Sequence, residues 1–284
     1  MKTHKGLSLV ELMVALALGS LVTIATTQLF LVNRQTENLQ LGIASVQENG
    51  RFVFDYLSRQ FMSAGYSEGE PIVPFVVDGT SFNNLEIDDG TKFDTVVFEV
   101  LDGQDCLGNA LTGFKKFYVK NDALGNRLVC TAYEKNAADP EAGTDTDEGA
   151  GESAAEDEWS ADDSGPLVDN VEAFQVLYGI DFDRQSDEGY GYANVYTNAL
   201  QTKALFDGGE AVRIVSVRFA ILIASDSLVT LDNTNARESI DVLDQSYVQG
   251  EQDGENSNQI NFADGRMYRT YGATVALRNV VEQL

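Results

Sequence analysis

The sequence predicts an α+β protein in which one long N-terminal helix, apolar in its first half and amphipathic in its second, packs on an antiparallel β-sheet head. Three observations carry that reading. Leu7 to Val32 contain one charged residue, Glu11, and no proline. Leu39, Ile43, Val46, Gly50, Val53 and Leu57 then recur at steps of four and three, which lays them on one helical stripe. Beyond residue 70, runs rich in β-branched and aromatic residues are separated by Gly, Asn and Asp clusters.

The apolar run is long enough to cross a bilayer core of ~30 Å as a helix. It is too long for the core of a secretory signal peptide, and no Ala-x-Ala-like cleavage site follows it. Lys2 and Lys5 suit the side that stays cytoplasmic, as they would in an ordinary signal anchor. An anchor does not explain Glu11. A lone carboxylate in hydrocarbon costs on the order of 2.5 kcal/mol or more, so it asks for a partner. An α-amino group would stand beside it if the chain were cut after Gly6. The helix is expected from about Leu7 to Ala64, roughly 85 Å long, with Gly65 as its stop. Gly19, Gly42 and Gly50 are its expected points of bending or close packing.

The basic leader, Gly6, the apolar run and Glu11 in that register resemble the type IV pilins and pseudopilins. The resemblance implies removal of residues 1–6 by a membrane-embedded prepilin peptidase and N-methylation of Leu7. Glu11 then becomes the fifth mature residue. It also implies a segment 7–32 that serves as transmembrane and filament-core helix, an amphipathic stretch 33–64, and a head over 65–284.

In the head, strands are expected at Thr95–Val100, Phe114–Val119, Arg127–Tyr133, Val171–Tyr178, Val212–Ile223 and Tyr268–Leu277. Apolar Val215, Val217, Phe219, Ile221 and Ile223 occupy alternate positions of the fifth. Period two implies a sheet with one buried face, and the helical stripe is its natural cover. Gln47-Glu48-Asn49-Gly50-Arg51-Phe52, Met62-Ser63-Ala64-Gly65-Tyr66, Val171 to Gly179 and Ala273 to Asn279 resemble the PilW family of minor pilins. That family implies a low-abundance subunit that helps start pilus assembly and stays near the fibre tip. Its implied partners are other minor pilins, the major pilin, a tip adhesin, the prepilin peptidase and the inner-membrane assembly platform. The implied location is the bacterial inner membrane with a periplasmic head, then the fibre. A J-type minor pseudopilin of type II secretion is similar in plan, and a membrane-anchored binding domain that never polymerises is the third reading.

Composition sets the limits. With 45 acids against 19 basic residues the net charge is −26, which argues against a nucleic-acid partner. Cys106 and Cys130, an even pair in an exported region, suggest a disulfide; a four-ligand zinc site would need more Cys or His than the chain has. The only histidine, His4, lies in the leader, so the mature chain lacks a Ser-His or Cys-His nucleophile. No phosphate-binding loop of the G-x-x-x-x-G-K type occurs, and no enzymatic activity is expected. Asp181, Asp183, Gln185, Asp187 and Glu188 partly follow a calcium-loop pattern, but the sixth and twelfth positions are Ser186 and Tyr192 where Gly and Glu belong. A polar turn is the competing reading, and no cofactor is otherwise expected. Residues 136–170 contain many acids and no Lys or Arg, the composition of a solvated loop. Trp159 within it is either a local anchor or a recognition residue.

Overall fold

A computed structural model of the chain describes residues 8–65, 74–75, 93–122, 125–135, 159–183, 189–208, 212–229, 237–250 and 258–277. Helix α1 runs unbroken over Leu9–Ser63. It stops where expected: Ala64 turns extended and Gly65 follows at φ 78°, a conformation that glycine adopts without a Cβ penalty. Gly42 and Gly50 do not break the helix but let other elements approach it. A Cβ at Gly42 would lie 2.6 Å from Val229, and one at Gly50 would lie 2.1 Å from the Tyr271 ring. The buried stripe is Gly42, Val46, Gly50, Val53, Leu57, Ser58 and Phe61. Leu39, expected on this stripe, is 40% exposed, because the head begins one turn further along.

Among the described residues the head has three sheets. One four-stranded sheet has the order β11-β7-β5-β6, from Tyr268–Ala276, Arg213–Ala224, Val171–Asp181 and Val195–Thr197, with every neighbour antiparallel. The second has the order β1-β2-β3-β4, from Val96–Gln104, Ala110–Asp122, Gly125–Lys135 and Trp159–Asp169. A small sheet pairs β10 (Gln259–Ile260), β9 (Gln245–Gln249) and β8 (Ser239–Val242). Helix α2, Ala199–Asp207, starts with a reciprocal capping box between Asn198 and Gln201.

One core joins the inner half of α1 to both four-stranded sheets. Phe61 is at its centre, with ring centroids 5.4–6.1 Å from Phe75, Phe98, Phe117 and Phe219. These edge-on packings add about 0.5–1.5 kcal/mol each beyond area burial.

Two expectations need correction. Strand β7 is buried on both faces, not one. Val217, Phe219, Ile221 and Ile223 join the α1 core, while Ala220, Leu222 and Ala224 are covered by Ile240, Val242, Tyr247 and Ile260 of the small sheet. The alternation in β7 therefore separates two cores. Residues 159–169, read as part of an acidic loop, form β4. As an edge strand it needs only one apolar side, and it tolerates Pro166 and two breaks of register. Residues 136–158 of that loop lie outside the described residues, as does the side chain of Trp159.

Candidate assembly surface

The N-terminal half of α1 gathers what the sequence singled out for processing and assembly. Gly6 and Leu7 lie outside the described residues, so Glu11 is the first described site residue. It sits in the first turn, where a carboxylate complements the positive end of the helix dipole. Every residue from Leu9 to Leu41 is exposed. They include Leu9 at 74%, Val10 at 67% and Leu16 at 66%, and this half contains a window of mean hydropathy 2.1. By length and composition the helix can cross a membrane. An apolar surface this size does not stay in water on a monomer; it is covered by lipid or by other helices.

The polar residues of this half are consistent with such a cover. Ser20 donates to the Ala17 carbonyl, Thr23 to Gly19, Thr27 to Thr23 and Thr36 to Val32, at 2.8–2.9 Å. Their hydroxyls are satisfied within the helix and need no water. Glu11 is left as the one charge before the Arg34–Glu37 pair.

The other half of α1 fixes how this surface is held. Ser45 donates to Asp226 at 2.8 Å, and Lys115 Nζ donates to Gln60 Oε1 at 2.9 Å. Burial pulls the Lys115 ammonium down to about 8, only partly opposed by the Asp105 carboxylate. Gly50 seats on Tyr271 of β11, so the helix enters the head locked against the sheet that contains β11.

Cys106 and Cys130 are joined, with Cα atoms 5.8 Å apart. The bridge ties the β1–β2 loop to β3, and Asp105 shapes that loop by accepting from the backbone N–H groups of Leu107 and Asn109, both at 2.8 Å. Burial pushes the Asp105 carboxyl up, but hydrogen bonds from Asn109 and Leu107 outweigh it and hold the group below its usual range.

Of the calcium candidates, Asp181 and Asp183 are described and Asp187 is not. Asp181 is fully buried and receives the Arg213 guanidinium at 2.6 Å, with the backbone N–H groups of Asp183 and Gly191. Burial raises the Asp181 carboxyl, and these donors more than reverse it. Arg213 also donates to the Asp183 carbonyl and stacks 4.1 Å from the Tyr190 ring centroid. A guanidinium therefore occupies the position that a cation would take on this carboxylate. Among the described residues no group of three or more acids, Cys or His could hold a metal ion.

Sequence reasoning missed a second buried ionic cluster. Arg266 bridges Glu172 at 2.8 Å and Asp264, and the Tyr268 hydroxyl donates to Asp264 at 2.7 Å. It anchors the turn leading into β11. Asp264 and Arg266 are near neighbours in sequence, but Glu172 comes from β5 and nothing local signals it.

The family described as Type IV pilus-assembly protein W matches residues 116–279, more than half of the chain, and the prokaryotic N-terminal methylation motif matches residues 1–27. A type IV-like pilin from Thermus thermophilus is a structural match at TM-score 0.40 and 12% identity, covering 83% of this chain and 98% of that one. No curated protein matches. The exposed apolar half-helix, its first-turn glutamate and the sheets that carry its other half belong to a structural, non-enzymatic subunit: the chain is a member of the PilW family of type IV pilus-assembly proteins.

Proposed function

We propose that this chain is a minor pilin that helps start a type IV pilus and stays near the fibre tip. The observation that supports it best is the fully exposed apolar run of α1 with Glu11 as its lone charge, on a chain of the PilW family. Such a helix suits two successive covers, lipid before assembly and neighbouring pilin helices after it. Residues 1–6 form the leader and the cut falls between Gly6 and Leu7, whose new amino group is methylated. That ammonium offsets Glu11, within its own chain or in the adjacent subunit. In low dielectric the pair attracts strongly but loses hydration, so it specifies register more than it adds stability. The head stays periplasmic until assembly. A low-copy position suits the charge: the chain is at −26 and loses Lys2 and Lys5 with the leader, so a shaft of identical subunits would repel itself. The partners are accordingly other minor pilins, the major pilin, a tip adhesin, the prepilin peptidase and the assembly platform.

Mass spectrometry of the N-terminus, together with counting of the protein in sheared fibres, tests this. A methylated Leu7 and one or a few copies per fibre at one end are expected. An intact Met1 in fibre-bearing cells would end the reading, and recovery only with a secretion apparatus would transfer the chain to a pseudopilus. Glu11→Ala should leave insertion, cleavage and the head intact while reducing entry into fibres.

A further inference from the structure

An open sheet edge leaves a row of backbone donors and acceptors unpaired, and proteins blunt such edges with short strands, prolines, bulges or charges. Among the described residues most edges of this head are blunted. Strands β6 and β10 have three and two residues, and β8 has four, with Asp241 exposed. Strand β1 breaks register between Val100 and Gly103, and β4 carries Pro166 and two register breaks. Among the described residues the edge strand β11 has none of these devices. It runs nine residues in unbroken register with β7, has no proline, and has one charged side chain, Arg269.

Two bonds fix which groups point away from β7. Leu277 N–H reaches the Val215 carbonyl and Ser225 N–H reaches that of Met267, both at 2.8 Å. In an antiparallel ladder the odd-numbered residues of β11 therefore bond to β7, and the N–H and C=O groups of Thr270, Gly272, Thr274 and Ala276 turn outward. All four residues are exposed. Charge here also runs against the rest of the molecule. In a chain with 45 acids, β11 has none. Its own Arg269 is exposed, and Arg218 of β7 donates to Thr274 at 3.1 Å.

We propose that the free edge of β11 is a strand-addition site for an extended, acid-bearing segment of a different polypeptide in the same assembly. Main-chain pairing supplies the affinity and an acid opposite Arg269 sets the register. A second copy of this chain is the wrong occupant, because it would set two arginine-bearing edges side by side in molecules of net charge −26. The proposal rests on the fibre reading above only for where the partner is met.

Residue-resolved amide exchange on the full-length protein tests it, comparing the detergent-purified protein with the same protein in sheared fibres and in extracted envelope complexes. The amides of Thr270, Gly272, Thr274 and Ala276 should slow by about tenfold or more in the assembly, while those of Tyr271, Ala273 and Val275 are slow in both. Thr270→Pro removes one outward N–H and should abolish that protection with the Cys106–Cys130 bridge and melting temperature retained. Arg269→Glu leaves the backbone intact and should weaken the protection. If the four amides exchange at the free rate in both assemblies, the proposal is overturned. Protection that appears merely on concentrating the pure protein would also overturn it, since the occupant would then be a second copy. Protection in envelope complexes with the protein absent from fibres would support the edge and refute the fibre reading.

Discussion

Residues 9–41 and 42–61 of α1 form one continuous helix, yet every residue of the first is exposed and the second buries a stripe. Helical propensity does not distinguish them. Apolar residues surround the first half on all sides, so its surroundings must be apolar on all sides, whereas a stripe with polar flanks matches one covering surface. In the second half that surface is intramolecular, formed by β11, β7 and the second sheet. In the first half no part of the described head supplies it. The first half is thus specified for a cover from outside the described head and the second for one within it.

The contrast can be broken most strongly at Phe61. Phe61→Ala empties the centre of the shared core and should cost about 3–5 kcal/mol in denaturant unfolding of the solubilised protein, with membrane insertion unchanged. Next is Gly50→Val. Its Cβ would collide with the Tyr271 ring, so a loss of about 3 kcal/mol is expected, and an additional Tyr271→Ala should recover part of it. A smaller effect sharpens the comparison through pH. The Lys115 ammonium is held at about 8, below its unfolded value of 10.5, so at lower pH the fold carries the full cost of a buried charge. Between those values the unfolded chain binds more protons, and stability should rise by on the order of 2 kcal/mol from pH 8 to 10. Lys115→Met should flatten that rise. The smallest change is expected in the outer half: Leu16→Ala should move head stability by no more than about 0.5 kcal/mol, because its side chain is exposed. A large loss there would mean that the two halves are not independent.

What was legible in the sequence was whatever repeats locally. The helix, its stop at Gly65 and six of the seven strands with nine or more residues could be read because period and turn chemistry are properties of neighbouring residues. Strand β4 was hidden by its acids, since an edge strand needs few apolar residues. The short β8, β9 and β10 lack length for a periodic signal, and without them the second buried face of β7 could not be foreseen. Glu11 stood out as a charge in an apolar run. The Asp181–Arg213 pair did not, because its partners lie 32 residues apart and nothing local signals it.

The seating of Gly50 on Tyr271 also orders events in time. Chain synthesis delivers α1 first, and the strand that closes over it, β11, arrives only after the rest of the described head. Until then Gly50 lacks the ring that covers it. Long-range closure of this kind is intrinsically slow. The last described strand therefore acts as a clasp on α1: a chain that ends short of Tyr271 leaves Gly50 without its cover.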